Sequence, residues 1–138
     1  MSNKSWEENE MTDKILKGAF TVHTELGPGL LESAYEECLL FELKSIGLIV
    51  EQQKPQPLIY KEIKLETGYR IDLLVEGKII VEIKSVEALN DLHLAQVMTY
   101  LKLKNQPFGL LINFNVKSLK DGIKRVFNLH HKQNSYNI

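Results

Sequence analysis

Between Asp72 and Ser85 the chain reads DLLVEGKIIVEIKS, and three of its residues could do chemistry together: Asp72, Glu82 and Lys84. Two carboxylates bind a hard divalent ion such as Mg²⁺ while leaving water sites open. Such an ion polarises a phosphodiester and acidifies a bound water. An ammonium beside them can orient that water or stabilise the charge that builds on phosphorus. It also limits the repulsion between the carboxylates when no metal is present.

The stretch itself reads as a β-hairpin, and side chains alternate faces along a strand. The odd positions Ile71, Leu73, Val75, Ile79, Val81 and Ile83 are all apolar and should pack on a helix. The even positions carry Asp72, Glu82 and Lys84, with Leu74 and Ile80 among them. Alternation alone would make the even face the wet side of an ordinary sheet. Asp72 and Glu82 share a face only if the loop has an odd number of residues. A three-residue loop Val75-Glu76-Gly77, with Gly77 left-handed, would meet this condition, opposing Asp72 to Ile80 with Glu82 diagonal. A two-residue Glu76-Gly77 loop would send the carboxylates to opposite faces.

Other elements must position that hairpin. Met11, Ile15, Ala19, Val22 and Leu26 recur at helical spacing and predict a helix from Glu8 to Leu26, ended by Gly27-Pro28-Gly29. A second helix is expected over about Leu30 to Ile46, with Leu31, Ala34, Cys38, Phe41 and Leu43 mostly inward and Gly47 as its stop. Four strands should follow: LIVEQQ, PLIYKEIKLE, YRIDLLVE and KIIVEIKS. Asn90 is a good N-cap for a helix of about Asp91 to Lys104. FGLLINF suits a strand buried on both faces, and SLKDGIKRVFN a short closing helix. The order α-α-β-β-β-β-α-β-α predicts an α/β (α+β) domain whose mixed sheet, of about four to five strands, is flanked by helices.

Size and charge narrow the class. The 138 residues predict one domain, over residues 8–128, between a flexible N-terminus (1–7) and a polar tail (129–138). At 43% hydrophobic and a net charge of −1, the chain can bury a core but has no general basic footprint for coating nucleic acid. The single cysteine, Cys38, excludes an internal disulfide and reads as a small buried hydrophobe. No stretch approaches a membrane span, and a reducing cytoplasm is the expected location.

Asp72 followed by Glu82-Ile83-Lys84 resembles the core motif of the PD-(D/E)xK nuclease superfamily. Three further stretches sharpen the likeness. They are Gly29-Leu30-Leu31-Glu32-Ser33-Ala34-Tyr35, His93-Leu94-Ala95-Gln96-Val97-Met98-Thr99-Tyr100, and Gly109-Leu110-Leu111-Ile112-Asn113-Phe114-Asn115 with Leu119-Lys120-Asp121-Gly122-Ile123. Together, over roughly Ile15 to Phe127, they look like the GxxExxY protein family, a small branch of that superfamily. One departure is Ile71, which stands where the superfamily name has proline.

The resemblance implies a restriction-endonuclease-like core and a Mg²⁺- or Mn²⁺-dependent nuclease, acting on nucleic acid, DNA ahead of RNA. Asp72 and Glu82 would be metal ligands, with Glu32 a further acidic ligand. Lys84 would be the catalytic lysine. Gln96 would reach the site from the following helix, with Tyr100, His93 and Tyr35 as substrate contacts or supports. Plainer roles exist for several of these. Glu32 opens a helix, where a carboxylate favours the positive end of the dipole. His93, Gln96 and Tyr100 share one helical face that could be a boundary. Lys117, Lys120, Lys124 and Arg125 could touch phosphates or simply be solvated. The alternative function is a non-catalytic binding or assembly module retaining the nuclease fold. Exposed edge strands are compatible with a homodimer.

Overall fold

The computed structural model describes residues 7–66, 68–129 and 131. Most of the expected flexible N-terminus and polar tail therefore lies outside the described residues. The chain runs α1 (Glu8–Leu26), α2 (Glu32–Ser45), β1 (Val50–Pro55), β2 (Leu58–Tyr60), β3 (Ile63–Leu65), β4 (Arg70–Val75), β5 (Ile79–Lys84), α3 (Asp91–Lys104), β6 (Phe108–Asn113), a 3₁₀ turn (Leu119–Gly122) and β7 (Ile123–Phe127). Five strands form one mixed sheet in the order β1-β4-β5-β6-β7. Only β5 and β6 pair in parallel, and α3 is the crossover between them.

Helices cover both faces of this sheet. On one side Met11, Ile15, Ala19, Leu39 and Leu43 from α1 and α2 pack on Leu73, Val75, Val81, Ile83 and Leu110. On the other, Val97, Tyr100 and Leu101 of α3 pack on Leu74, Ile80 and Leu111. Cover on both sides explains the apolar even positions Leu74 and Ile80, which a solvated hairpin face would not carry. Ile71 departs from its parity and joins the cluster under α3. Next to it, opposite Asp72, the β1 ladder is broken at Gln53, whose φ of +51° turns the strand locally.

Three local expectations change. The α2 face is rotated: Leu31 is 77% and Phe41 68% exposed, while Tyr35, Leu39, Leu40 and Leu43 face the core. Cys38 is half-buried against that core. PLIYKEIKLE is not one strand but a separate two-stranded ribbon, β2–β3, turning at Lys61 with φ +54°. The closing helix is the 3₁₀ turn followed by β7, which pairs antiparallel with β6. Gly122 ends the turn where a Cβ would lie 2.1 Å from the Asn113 carbonyl, so the chain there runs against β6 and continues as a strand.

The α1–α2 connection is closed by Tyr35. Its hydroxyl donates to the Gly27 carbonyl at 2.6 Å and accepts from the Leu30 amide at 3.1 Å, while its ring stacks on Phe114 at 4.7 Å. The α2 N-terminus is thereby brought to the end of β5, where Ser85 Oγ donates to the Leu30 carbonyl at 2.6 Å. Tyr35→Phe keeps the stack and removes both hydrogen bonds. Its unfolding free energy in urea should fall by about 1–2 kcal/mol. A loss below about 0.3 kcal/mol would show that the hydroxyl does not hold this turn.

Candidate functional site

The β4–β5 turn sets the site. Lys78 N–H donates to the Val75 carbonyl at 2.9 Å across Glu76 and Gly77, both with positive φ. Pairing resumes at Val75↔Ile79, not at Lys78, so Lys78 is an extra residue in the turn. The loop Glu76-Gly77-Lys78 is thus odd in length, but one residue later than the expected Val75-Glu76-Gly77. Glu76 is also pinned to the start of β1: its amide donates to the Ile49 carbonyl and its carboxylate accepts from the Ile49 amide. Continued from Leu73↔Val81, the register sets Asp72 directly opposite Glu82, not opposite Ile80.

At that pair, side chains replace the ladder. The Asp72 amide donates to Glu82 Oε2 at 2.7 Å, and the Ile83 amide donates to Asp72 Oδ2 at 2.8 Å. Each carboxylate therefore clasps the opposite strand. Glu82 is only 3% exposed. Burial is the main force raising its pKa, to about 8, followed by repulsion from Asp72. Burial likewise raises Asp72 to about 6, opposed by the Ile83 hydrogen bond. Lys84 is half-buried two residues beyond Glu82 and lowers both pKa values, yet forms no ion pair with either among the described residues.

A second buried carboxylate, Glu36, lies outside the expected site residues. Gln53 Nε2 donates to both Glu36 oxygens at 3.0 Å and to Asp72 Oδ1 at 3.2 Å, tying α2 and β1 to the site. Gln52 Nε2 adds a bond to Glu36 at 2.8 Å. The signal was present as spacing: Glu32 and Glu36 are one turn apart on α2, and Glu36 falls between Tyr35 and Leu39 on the inward face. Asn113, at the end of β6, also orders the site. Its side-chain amide exchanges hydrogen bonds with both backbone groups of Val86 and fixes the chain just after Lys84.

The remaining motif residues separate. Glu32 Oε2 faces the Ser85 amide at 3.4 Å, at the end of β5. Gln96 Nε2 donates to the Tyr100 hydroxyl at 3.1 Å, and Tyr100 is close enough to Glu82 for that charge to raise its pKa further, after burial. His93 is a cap: its Nδ1 accepts from the Asn90 amide while its own amide donates to Asn90 Oδ1. Tyr35 lies in the core. Lys124 shares a sheet row with Glu82 through Leu111, hence the same face, two strand spacings or about 10 Å away.

Among the described residues no group of three or more His, Cys, Asp and Glu side chains is arranged to hold a metal ion. Asp72, Glu82 and Glu32 thus do not form a ready three-carboxylate cage. Asp72 and Glu82 alone suit a hard ion that keeps most of its waters, since Mg²⁺ is commonly held by one or two carboxylates. Their raised affinity for protons has the same origin as an affinity for a divalent cation, two anions buried side by side.

That proton affinity has a measurable sign. In the unfolded chain both carboxylates lose their protons near their ordinary values of 3.8 and 4.5, whereas the folded protein keeps them to about 6 and 8. Between those limits the folded state binds more protons, so stability falls as pH rises. Melting of the protein in EDTA should therefore drop between about pH 5 and pH 8, and Glu82→Gln should flatten most of that slope. Equal slopes for both proteins would mean that Glu82 is not held protonated.

No curated protein and no solved structure matches the chain. A family model described as the PD-(D/E)XK nuclease superfamily matches residues 9–126. The match runs from the first turn of α1 into β7 and contains the Asp72–Glu82–Lys84 hairpin. By this match and by the three helices around a mixed five-stranded sheet, the chain belongs to the PD-(D/E)XK nuclease superfamily.

Proposed function

We propose that this protein is a Mg²⁺- or Mn²⁺-dependent nuclease that hydrolyses phosphodiester bonds, with DNA ahead of RNA as substrate. The observation that carries the reading is the convergence of Asp72 and Glu82 on one face, backbone-clasped, with Lys84 next on that face. Superfamily membership supports hydrolase chemistry on nucleic acid and the use of a divalent metal. The GxxExxY pattern of Gly29, Glu32 and Tyr35 supports the smaller branch.

A bound divalent ion would supply polarisation of the phosphodiester and a more acidic water. The chain supplies the rest. Asp72 and Glu82 would hold the cation, and Glu32, at the end of β5, would assist. Glu36 and Gln53 fix the Asp72 carboxylate. Lys84, which forms no ion pair among the described residues, orients the attacking water and stabilises the charge gained at phosphorus. Gln96 and Tyr100 line the substrate side, and Lys124 is placed to meet a neighbouring phosphate. Pairing with a second copy through the open edges at β1 and β7, and a cytoplasmic location, complete the proposal.

Two measurements on one set of variants test this reading. Labelled DNA and RNA should be cut with Mn²⁺ and spared with EDTA, and Lys84→Ala and Glu82→Ala should each lower the rate at least about a hundredfold. Mn²⁺ should raise the melting temperature of the native protein and of Lys84→Ala, by mass action on the folded state, but not that of Glu82→Ala. No cutting and no Mn²⁺ shift in the native protein would leave the non-catalytic binding module as the better reading.

A further inference from the structure

Beside the carboxylates lies a cavity of about 380 Å³ that the motifs do not account for. It opens between the outer face of α3, through Leu92, Gln96, Thr99 and Tyr100, and the chain entering β4, through Tyr69, with Leu58 of β2 at its rim. Its size suits a small planar ligand. Gln96 and Tyr100 line this cavity, and Tyr100 also lies close enough to Glu82 to feel its charge, so the cavity adjoins the carboxylates.

The walls are apolar and aromatic, with few polar groups. Tyr69 is 50% exposed, yet its backbone is fixed by the Gln56 amide, which donates to its carbonyl at 2.8 Å. A ring on a pinned segment is a ready stacking face. The Gln96 amide supplies donor and acceptor at one edge. Arg70 follows Tyr69 directly and is exposed, and its Nη1 donates to the Gln53 carbonyl at 3.3 Å. Arg70 lines a neighbouring cavity that shares Tyr69 with this one, so a cation stands one residue from the stacking face. A flat π-surface with a polar edge, attached to an anion that meets Arg70, is a nucleotide.

Resting on the nuclease reading above, we infer that this cavity is a subsite for one unpaired nucleobase of the substrate, stacked on Tyr69 with its phosphate toward Arg70. A base inside a duplex is paired and stacked and cannot enter, so the substrate is a single strand, an overhang or a frayed end. Stacking reads the π-face that all bases share, so DNA and RNA strands both fit.

The test is fluorescence anisotropy of the full chain with labelled oligonucleotides of about twelve nucleotides, as single-stranded DNA, single-stranded RNA and blunt DNA duplex. Ca²⁺ replaces Mg²⁺ so that strands stay uncut. Tyr69→Ala should raise the Kd for single strands about tenfold, and Tyr69→Phe should leave it within about twofold. Leu92→Glu, at a helix-start position that is 79% exposed and tolerant of an acid, should weaken the same strands without disturbing the fold. Duplex affinity should not change with Tyr69→Ala. Single-strand affinity that is indifferent to both Tyr69→Ala and Leu92→Glu, or absent in the native protein, would overturn the subsite. Mn²⁺-dependent cutting of labelled single-stranded and duplex DNA and RNA by the native protein decides the nuclease reading separately, so each idea can fail alone.

Discussion

The structure turns on two amide hydrogen bonds, from Asp72 N–H to Glu82 and from Ile83 N–H to Asp72. An antiparallel pair normally closes with backbone carbonyls as acceptors. Here the carboxylates take that place, which fixes both side chains as firmly as the strands themselves. A residue on the surface could not be held this way, because water would compete for the amides. The clasp therefore requires cover, and α3 on one face with α2 and β1 at the edge provides it. The same cover desolvates the anions, so local order and raised pKa have one cause.

Around the clasp the fold gathers more negative charge than its net charge of −1 suggests. Glu36 shares Gln53 with Asp72, and Glu32 stands at the end of β5. One ammonium, that of Lys84, acts on both buried carboxylates. A polyanionic substrate would be repelled by such a centre unless cations intervened. On the proposed reading, a metal ion would reconcile the acidic cluster with a nucleic-acid substrate, and the exposed cations Arg70 and Lys124 would meet phosphates farther out.

Much of this could be read from the sequence because the relevant signals are local. The bounds of α1 and α3 follow from apolar spacing and from the Asn90 cap, and the all-apolar β6 announces burial on both faces. The misses have local reasons too. The turn at Lys61 uses positive φ at a non-glycine residue, which no composition rule anticipates. The face of α2 was misjudged because its apolar residues nearly encircle it, and burial of Tyr35 and Glu36 is decided by partners far along the chain. At β7, the turn Leu119–Gly122 mimics a helix start, but Ile123 and Val126 favour a strand, and the β6 edge supplies the pairing. The odd loop could be argued from the need for a shared face. The extra residue Lys78, which sets Asp72 opposite Glu82, could not.

Stability alone gives no reason for this arrangement. A buried and a half-buried carboxylate side by side, with a third bonded to the same glutamine, oppose folding through desolvation and mutual repulsion. Apolar residues at these positions would extend the cluster of Leu74, Ile80 and Leu111 under α3. Hydrogen bonds from backbone amides offset part of the cost but do not remove the charge. Local order bought against the general trend of a core is characteristic of sites that do chemistry. The clasp holds two carboxyl groups at fixed positions, so binding of a cation there would need little rearrangement of the protein. Lys84 fits the same logic: it is near enough to temper the pair, yet forms no ion pair with either carboxylate among the described residues.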